Sequence, residues 1–399
     1  MSLFRIGFLP LIDAALPIVA HEFGLAAAEG VRIEMVRDSS WATVRDRLIY
    51  RQTDAAHLLA PLAIATSMGL DRPAVPLAAP FMLGLNGNAI TVSPRIAALL
   101  GESMIADAGA LGLRFAAVAR TEAAAGRKLR LAVVHRYSSH NYMLRYWLAA
   151  SGCDPDADVE ITVVPPPFVA DALGSGEIDG SCVGEPWNSV AVERGVGVII
   201  ASTSRIWSRG VEKLLAFRRD TMEERGEEVA ALLRALHAAG RIVSDPARRG
   251  DVADVLARPA YIDQPAMLIA RALANRLVLA QGGAETGIED FLVLHREAAN
   301  FPWRSQAMWL YSQMVRWGHA PLQPEGFEIA AGVFRPDVYR AALAGTDAVL
   351  PGASAKVEGA IREPTGASSV SGRLIMGPDR FFDGRLFDPD RALDYLAGD

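Results

Sequence analysis

The chain has 399 residues, 51% of them hydrophobic, with a formal net charge of −6 and two cysteines. That length and apolar content bury one large core or two moderate ones and exclude a disordered chain. The acidic balance leaves no basic footprint for nucleic acid or an anionic membrane, so any effect on RNA has to pass through a protein partner.

Every apolar run is broken by polar or charged residues well short of the roughly 20 positions a membrane-spanning helix needs. The first predicted element is a strand at Arg5–Leu9. It leaves no room before it for the basic, apolar and cleavage regions of a secretory leader, so a cytoplasmic location is expected. The same Met-Ser-Leu start also fits a chain from which a leader has been removed. A helix follows over about Ala14–Gly24, then a strand at Ile33–Val36, a helix opening at Trp41 behind Ser39 or Ser40, and a strand at Ala55–Leu58. The turn dipeptide Asn86-Gly87 leads into a β-branched run to Val92, the pattern of a strand crossing between lobes. A β-rich stretch at Val196–Ile200 suits the return crossing, and helical patterns at Met222–Val243 and Arg304–Trp317 are expected to pack back on the first lobe. Residues 352–372, rich in Gly, Ser, Ala and Glu, read as a surface-hugging or partly mobile segment, and the aromatic run Phe381–Pro389 as a tail docked on the body.

One pattern occurs twice. Val-x-Asp-x-Leu, five residues, Asp, six residues, Pro runs from Val44 to Pro61 and again from Val169 to Pro186. A β-branched run precedes each copy, Ile33–Val36 and Ile161–Val164, so each reads as strand, helix, strand, then a proline opening another helix. Asp46 and Asp171 repeat with the motif, which argues for structural roles. Two such units predict an α/β chain of two lobes, each a sheet flanked by helices, with a ligand cleft at the hinge. Residues 1–90 with 200–399 would form one lobe and 91–199 the other.

Signatures of catalysis are missing: no GxSxG, HExxH, P-loop, paired CxxC or glycine fingerprint follows a strand. Cys153 and Cys182 have no histidine at metal-ligand spacing and read as inert thiols. A binding protein without metal or cofactor, and not an enzyme, is the leading class. The polar residues at predicted strand ends and helix starts are Trp41, Asn88, His140, Gly184 and Glu185, and helix N-termini favour a small anion there. Trp147, Trp303, Trp309 and Trp317 fall on helical patterns and read as core.

Seven segments in order, SWATVRDRL (40–48), NGNAIT (86–91), HNYMLRYWLAASG (140–152), CVGEPWN (182–188), YIDQPA (261–266), WRSQAMWLYSQMVRWG (303–318) and FFDGRLFDP (381–389), resemble the nitrate- and bicarbonate-binding proteins of ABC transporters. The resemblance covers nearly the whole chain and implies a type II periplasmic-binding-protein fold. It also implies an anion site of Trp41, His140, Gly184 through its backbone N–H, and Lys213 of VEKLLAF, with Asn88 where the family carries Gln. Nitrate, planar and acceptor-only, suits such donors. Bicarbonate, which needs an acceptor for its hydroxyl, would use the Asn88 carbonyl oxygen or Glu185, and Glu185 is a candidate partner of His140 or Lys213, or else a helix N-terminal carboxylate.

With no leader in view, the resemblance points to the NasS-type sensors, which bind nitrate or nitrite and release a NasT-type ANTAR antiterminator. The alternative is the substrate-binding component of a nitrate or bicarbonate ABC transporter with its leader removed. A thiamine-pyrimidine synthase on a related fold is a distant third, because no His- or Cys-rich substrate loop is present.

Overall fold

The computed structural model describes residues 1–101 and 107–397. The chain lays down β1 (Ser2–Phe8), β2 (Val31–Arg37), β3 (Ala55–Leu59) and β4 (Leu77–Met82), then crosses into β5 (Asn88–Val92). Strands β6 (Leu129–Val133), β7 (Val159–Val163), β8 (Gly180–Gly184) and β9 (Val198–Ser202) follow, and β10 (Lys213–Arg218) returns to the start. Two five-stranded sheets result, ordered β2-β1-β3-β10-β4 and β7-β6-β8-β5-β9. In each, the first three strands are parallel and the last two are joined antiparallel. The duplication read from sequence is therefore a duplication of topology, and the fold is the two-lobed periplasmic-binding-protein type.

The repeated motif explains why both halves fold alike. Its Val and Leu lie on helices α2 (Trp41–Ile49) and α5 (Val169–Gly174) and are buried, Val44 and Leu48 in one copy and Val169 and Leu173 in the other. Its second Asp locks the next strand to its parallel neighbour. The Asp54 backbone N–H donates to Arg5 O at 2.8 Å while its Oδ2 accepts from Arg5 N at 2.8 Å. Asp179 repeats both bonds with Arg130, at 2.8 and 2.9 Å. Asp46 and Asp171 instead make ion pairs, Asp46 with the buried Arg45 and the exposed Arg72 and Asp171 with the exposed Arg194.

Four expectations need adjusting. The boundaries placed at residues 90 and 200 fall inside β5 and β9, which pair with each other in the second sheet, so the crossings lie at 83–87 and 203–212. At the first crossing Asn86 and Gly87 both take left-handed backbone, with φ of 62° and 88°. The Asn86 amide is pinned there, donating to Ser208 O and Asp290 O and accepting from Gly210 N. The helix predicted over Met222–Val243 is interrupted at Arg225, and the long piece is α7 (Gly226–Ser244). The Arg225 guanidinium lies 4.0 Å over the Phe4 ring and bonds Leu3 O and Asp54, contacts an unbroken helix would not direct. Helix α8 (Arg304–Arg316) packs on both lobes, against α3 (Ala60–Met68) and α4 (Ser139–Ala150). Finally, residues 352–372 are tied down. Lys356 bridges the buried carboxylates of Glu358 and Asp379, and Glu358 accepts from Ser305 Oγ at 2.6 Å. The tail docks as expected: Phe381 stacks on Trp207 at 4.8 Å and packs on Tyr146 of the second lobe at 5.5 Å.

Candidate functional site

The strand ends of both sheets meet at one buried cation. Lys213 opens β10 and is 0% exposed. Its Nζ lies 2.7 Å from Asp13 Oδ2, 2.6 Å from Glu212 Oε2, 3.2 Å from Asn88 Oδ1 and 3.4 Å from His140 Nε2. Asp13 follows β1, Asn88 opens β5, and His140 is the second residue of α4, whose N-cap Ser138 accepts from Asn141 N. Asp13 also holds His57 of β3, Oδ1 to Nε2 at 2.8 Å, and the His57 ring stands edge-on to Trp41 at 5.1 Å. Trp41 is the first residue of α2, behind a Ser40 cap that accepts from Thr43 N. Gly184 ends β8 in register with Asn88. A Cβ at Gly184 would lie 3.0 Å from Leu11 Cδ2, 3.2 Å from Asn88 Oδ1 and 3.5 Å from Lys213 Nζ, so glycine keeps the two lobes within reach of each other.

The structure thus brings together all five residues singled out from sequence and adds Asp13, His57 and Glu212. Asp13 and Glu212 carry no spacing signal. His57 had one: it is the titratable residue in a strand otherwise made of Ala and Leu. Glu185 is not part of the network. It lies among Ser189, Asn188 and Arg271, accepting from Ser189 N at 3.4 Å at the start of α6 (Trp187–Glu193), so the helix-terminal carboxylate is what the fold uses. Its backbone does join the lobes, Glu185 O accepting from Ile12 N at 3.0 Å, next to a bond from Trp187 Nε1 to Pro10 O at 2.9 Å.

Burial disfavours charge on Lys213, but Asp13 and Glu212 outweigh it and hold the ammonium's pKa above its ordinary value. Burial likewise opposes ionisation of Asp13, and Lys213 and His57 overcome it, keeping this carboxyl well below the usual range. At Glu212 burial wins, and its pKa is raised despite Lys213. Burial and then the neighbouring ammonium push His140 far down, so its ring is neutral, with Nε2 accepting from Lys213 and Nδ1 carrying the hydrogen. Trp41 Nε1, Asn88 Nδ2, His57 Nδ1 and His140 Nδ1 are buried without a hydrogen-bond partner. Each orphan costs on the order of 1–3 kcal/mol, and buried polar atoms are rarely left so. Trp41, Asn88 and His140 thus keep unpartnered N–H groups, the kind a small acceptor-rich anion accepts from, whereas a neutral His57 that donates from Nε2 to Asp13 has only a lone pair on Nδ1.

Among the described residues no cluster of three His, Cys, Asp or Glu could hold a metal, and no helix is long and apolar enough to cross a membrane. Burial raises both thiols, Cys153 to about 12 and Cys182 further, so neither is a reactive thiolate.

Residues 2–257 match the NMT1-like family. Over 401 residues the chain is 31% identical to the nitrate/nitrite binding protein NrtA of Synechococcus elongatus, covering 98% of this chain and 85% of that one. It is 33% identical over 337 residues to the nitrate import ATP-binding protein NrtC of Synechocystis sp., covering 84% of this chain but 49% of NrtC, so it spans about half the length of that relative. The crystal structure of the periplasmic nitrate-binding protein NrtA from Synechocystis PCC 6803 has the same fold, with a TM-score of 0.86 over 100% of this chain and 98% of that one at 24% identity. From the family match and the near-full-length similarity together, the chain belongs to the NMT1-like family.

Proposed function

We propose that this protein is a nitrate receptor, the substrate-binding component of a nitrate importer. The observation that carries the reading is the set of unpartnered buried donors drawn from both lobes, Asn88 Nδ2 and His140 Nδ1 on side chains that touch Lys213, and Trp41 Nε1 on a ring linked to it through His57 and Asp13. Donors on both lobes make the anion a bridge, so binding favours lobe closure. The similarity to nitrate/nitrite binding proteins over nearly full length supports the same ligand class. Of the acceptors named from sequence for a bicarbonate hydroxyl, Asn88 Oδ1 takes a bond from Lys213 and Glu185 lies against its own helix, while the carboxylates of Asp13 and Glu212 stand at the site.

Thermal unfolding in chloride buffer tests this. Nitrate at about 1,000 times its dissociation constant adds about 4 kcal/mol, a rise of several degrees, and His140→Ala removes it. A rise with bicarbonate and none with nitrate or nitrite refutes the assignment.

A second reading keeps the protein inside the cell as a sensor that closes on nitrate or nitrite and releases a NasT-type ANTAR antiterminator. In its favour, the chain aligns with about half the length of two nitrate import ATP-binding proteins, and ATP is a compound of the cell interior. Coupling would be reciprocal, the partner weakening nitrate binding by the factor by which nitrate weakens the complex. A complex that stays intact at saturating nitrate and nitrite rules this out.

A further inference from the structure

The tail and the second crossing enclose a solvent-open cavity of about 480 Å³ that none of the residues around Lys213 lines. Its walls are the crossing at Ser204, Arg205 and Ser208, the tail from Arg380 to Gly384, Arg362 of the tied-down segment, and the start of the helix Ala108–Ala124 in the second lobe. Backbone bonds join two of these walls, Ser208 N donating to Arg380 O and Phe382 N to Ile206 O, each at 2.9 Å, so the cavity has a fixed frame. Three guanidiniums line it, those of Arg205, Arg362 and Arg380. Among the described residues none of the three has an ion-pair or hydrogen-bonding partner for its side chain. Elsewhere exposed arginines such as Arg51, Arg95 and Arg258 lie against carboxylates, as suits a chain of net charge −6. Like charges gathered at one cavity repel one another unless an anion lies between them. Asp107 is the carboxylate on the lining, and its Oδ1 is taken up in capping its own helix, accepting from Ala110 N at 2.9 Å. Three cations against one carboxylate leave an excess of two positive charges on the walls. Ala108 and Gly109 add the first backbone N–H groups of that helix, which have no acceptor within it.

We propose that this arginine cleft is a second anion site, separate from the one at Lys213, and that it takes a small organic molecule carrying two or more negative charges on phosphate or carboxylate groups. The charge excess matches a dianion or trianion, and guanidinium forks pair bidentately with either group. The volume lies in the range of about 300–1,000 Å³ that holds a small organic ligand, far more than a nitrate fills. The half-buried Phe382 ring on the same wall gives its carbon skeleton an apolar surface. This site stands whether or not the protein is a nitrate receptor.

Isothermal titration of the full chain with sodium pyrophosphate and with sodium citrate, at constant ionic strength, tests this. The native protein should bind at least one of them, pyrophosphate alone marking a phosphate ligand and citrate alone a carboxylate one. Arg362→Gln and Arg380→Gln replace exposed side chains without partners, so the fold should be unaffected, and each should weaken binding about tenfold. Arg32→Gln removes the same charge from an exposed position on β2, away from the lining, and should leave binding unchanged. His140→Ala, at the other site, should leave it unchanged as well. Absence of binding by both probes overturns the proposal. So does an Arg32→Gln loss equal to those of Arg362→Gln and Arg380→Gln, which would mean attraction by bulk charge only, full affinity in both of those variants, or a loss in His140→Ala that puts the probe at Lys213.

Discussion

Replacing Lys213 by Met removes the one cation between two buried carboxylates while keeping the shape of the stem. The side chain is fully buried and its Nζ reaches Asp13 at 2.7 Å, Glu212 at 2.6 Å and Asn88 at 3.2 Å. Removing one partner of a buried ion pair costs about 3–5 kcal/mol, because the other partner is left charged out of water. The structure places the cost at the lower end of that range. Asp13 keeps His57 at 2.8 Å, and Glu212, already raised by burial, escapes its charge by taking a proton. The expected loss at pH 7 is therefore about 3 kcal/mol, a few degrees of unfolding temperature for a chain of this size. It has a pH signature. Carboxyls whose folded pKa exceeds the unfolded value bind more protons folded than unfolded, so the variant regains stability as pH falls from 7 to 5. Calorimetric unfolding of the native and Lys213→Met proteins at both pH values measures the difference, with unrelated titrations cancelling. A variant as stable as the native protein at pH 7, or one with the same deficit at pH 5, would show that the carboxylates are not held by this lysine.

Glu185→Gln should stabilise the protein at high pH. Burial raises the Glu185 carboxyl to about 7, so the native protein loses stability as pH rises from about 4.5 to 7, as much as about 3 kcal/mol, which the amide avoids; equal unfolding temperatures at pH 8 would contradict this. Burial pulls His135, His295 and His319 down to about 4, so on acidification the unfolded chain takes up protons first. Between pH 6.5 and 4 each should cost at most about 1.4 kcal/mol per pH unit, and replacing His295 by Gln should flatten that part of the denaturation profile. Asp54→Ala and Asp179→Ala should destabilise by similar amounts, roughly 1.5–3 kcal/mol each in urea titrations, since each removes a carboxylate from a strand N–H and a neighbouring arginine. A neutral result for one of the pair would mean that the two copies of the motif are not structurally equivalent.

The repeat was legible because it encodes something local, a helix face and an Asp that clamps the next strand to its neighbour. What sequence could not convey is set by sheet register. Asp13, in a one-turn 3-10 helix after β1, becomes a partner of Lys213 only because β10 enters the sheet beside β3, one strand from β1, whereas Glu212 is the neighbour of Lys213 in the chain. The two copies of the motif hold a clue to the rest. With Asp54 laid on Asp179, His57 falls on Cys182 and Leu59 on Gly184, so residues at the site stand where the copies differ. The same holds outside the motif. Lys213 and Asn88 open the strands that occupy equivalent places in the two sheets, and they meet at 3.2 Å; Asp13 follows β1 as His140 follows β6, and both face Lys213. A duplicated frame thus supplies paired positions aimed at one point, and divergence at those positions supplies charge on one lobe and neutral donors on the other. On that logic the anion a relative prefers should follow the residues at these paired positions, because the frame that aims them is fixed by the clamp repeated in each half and changes little when they do.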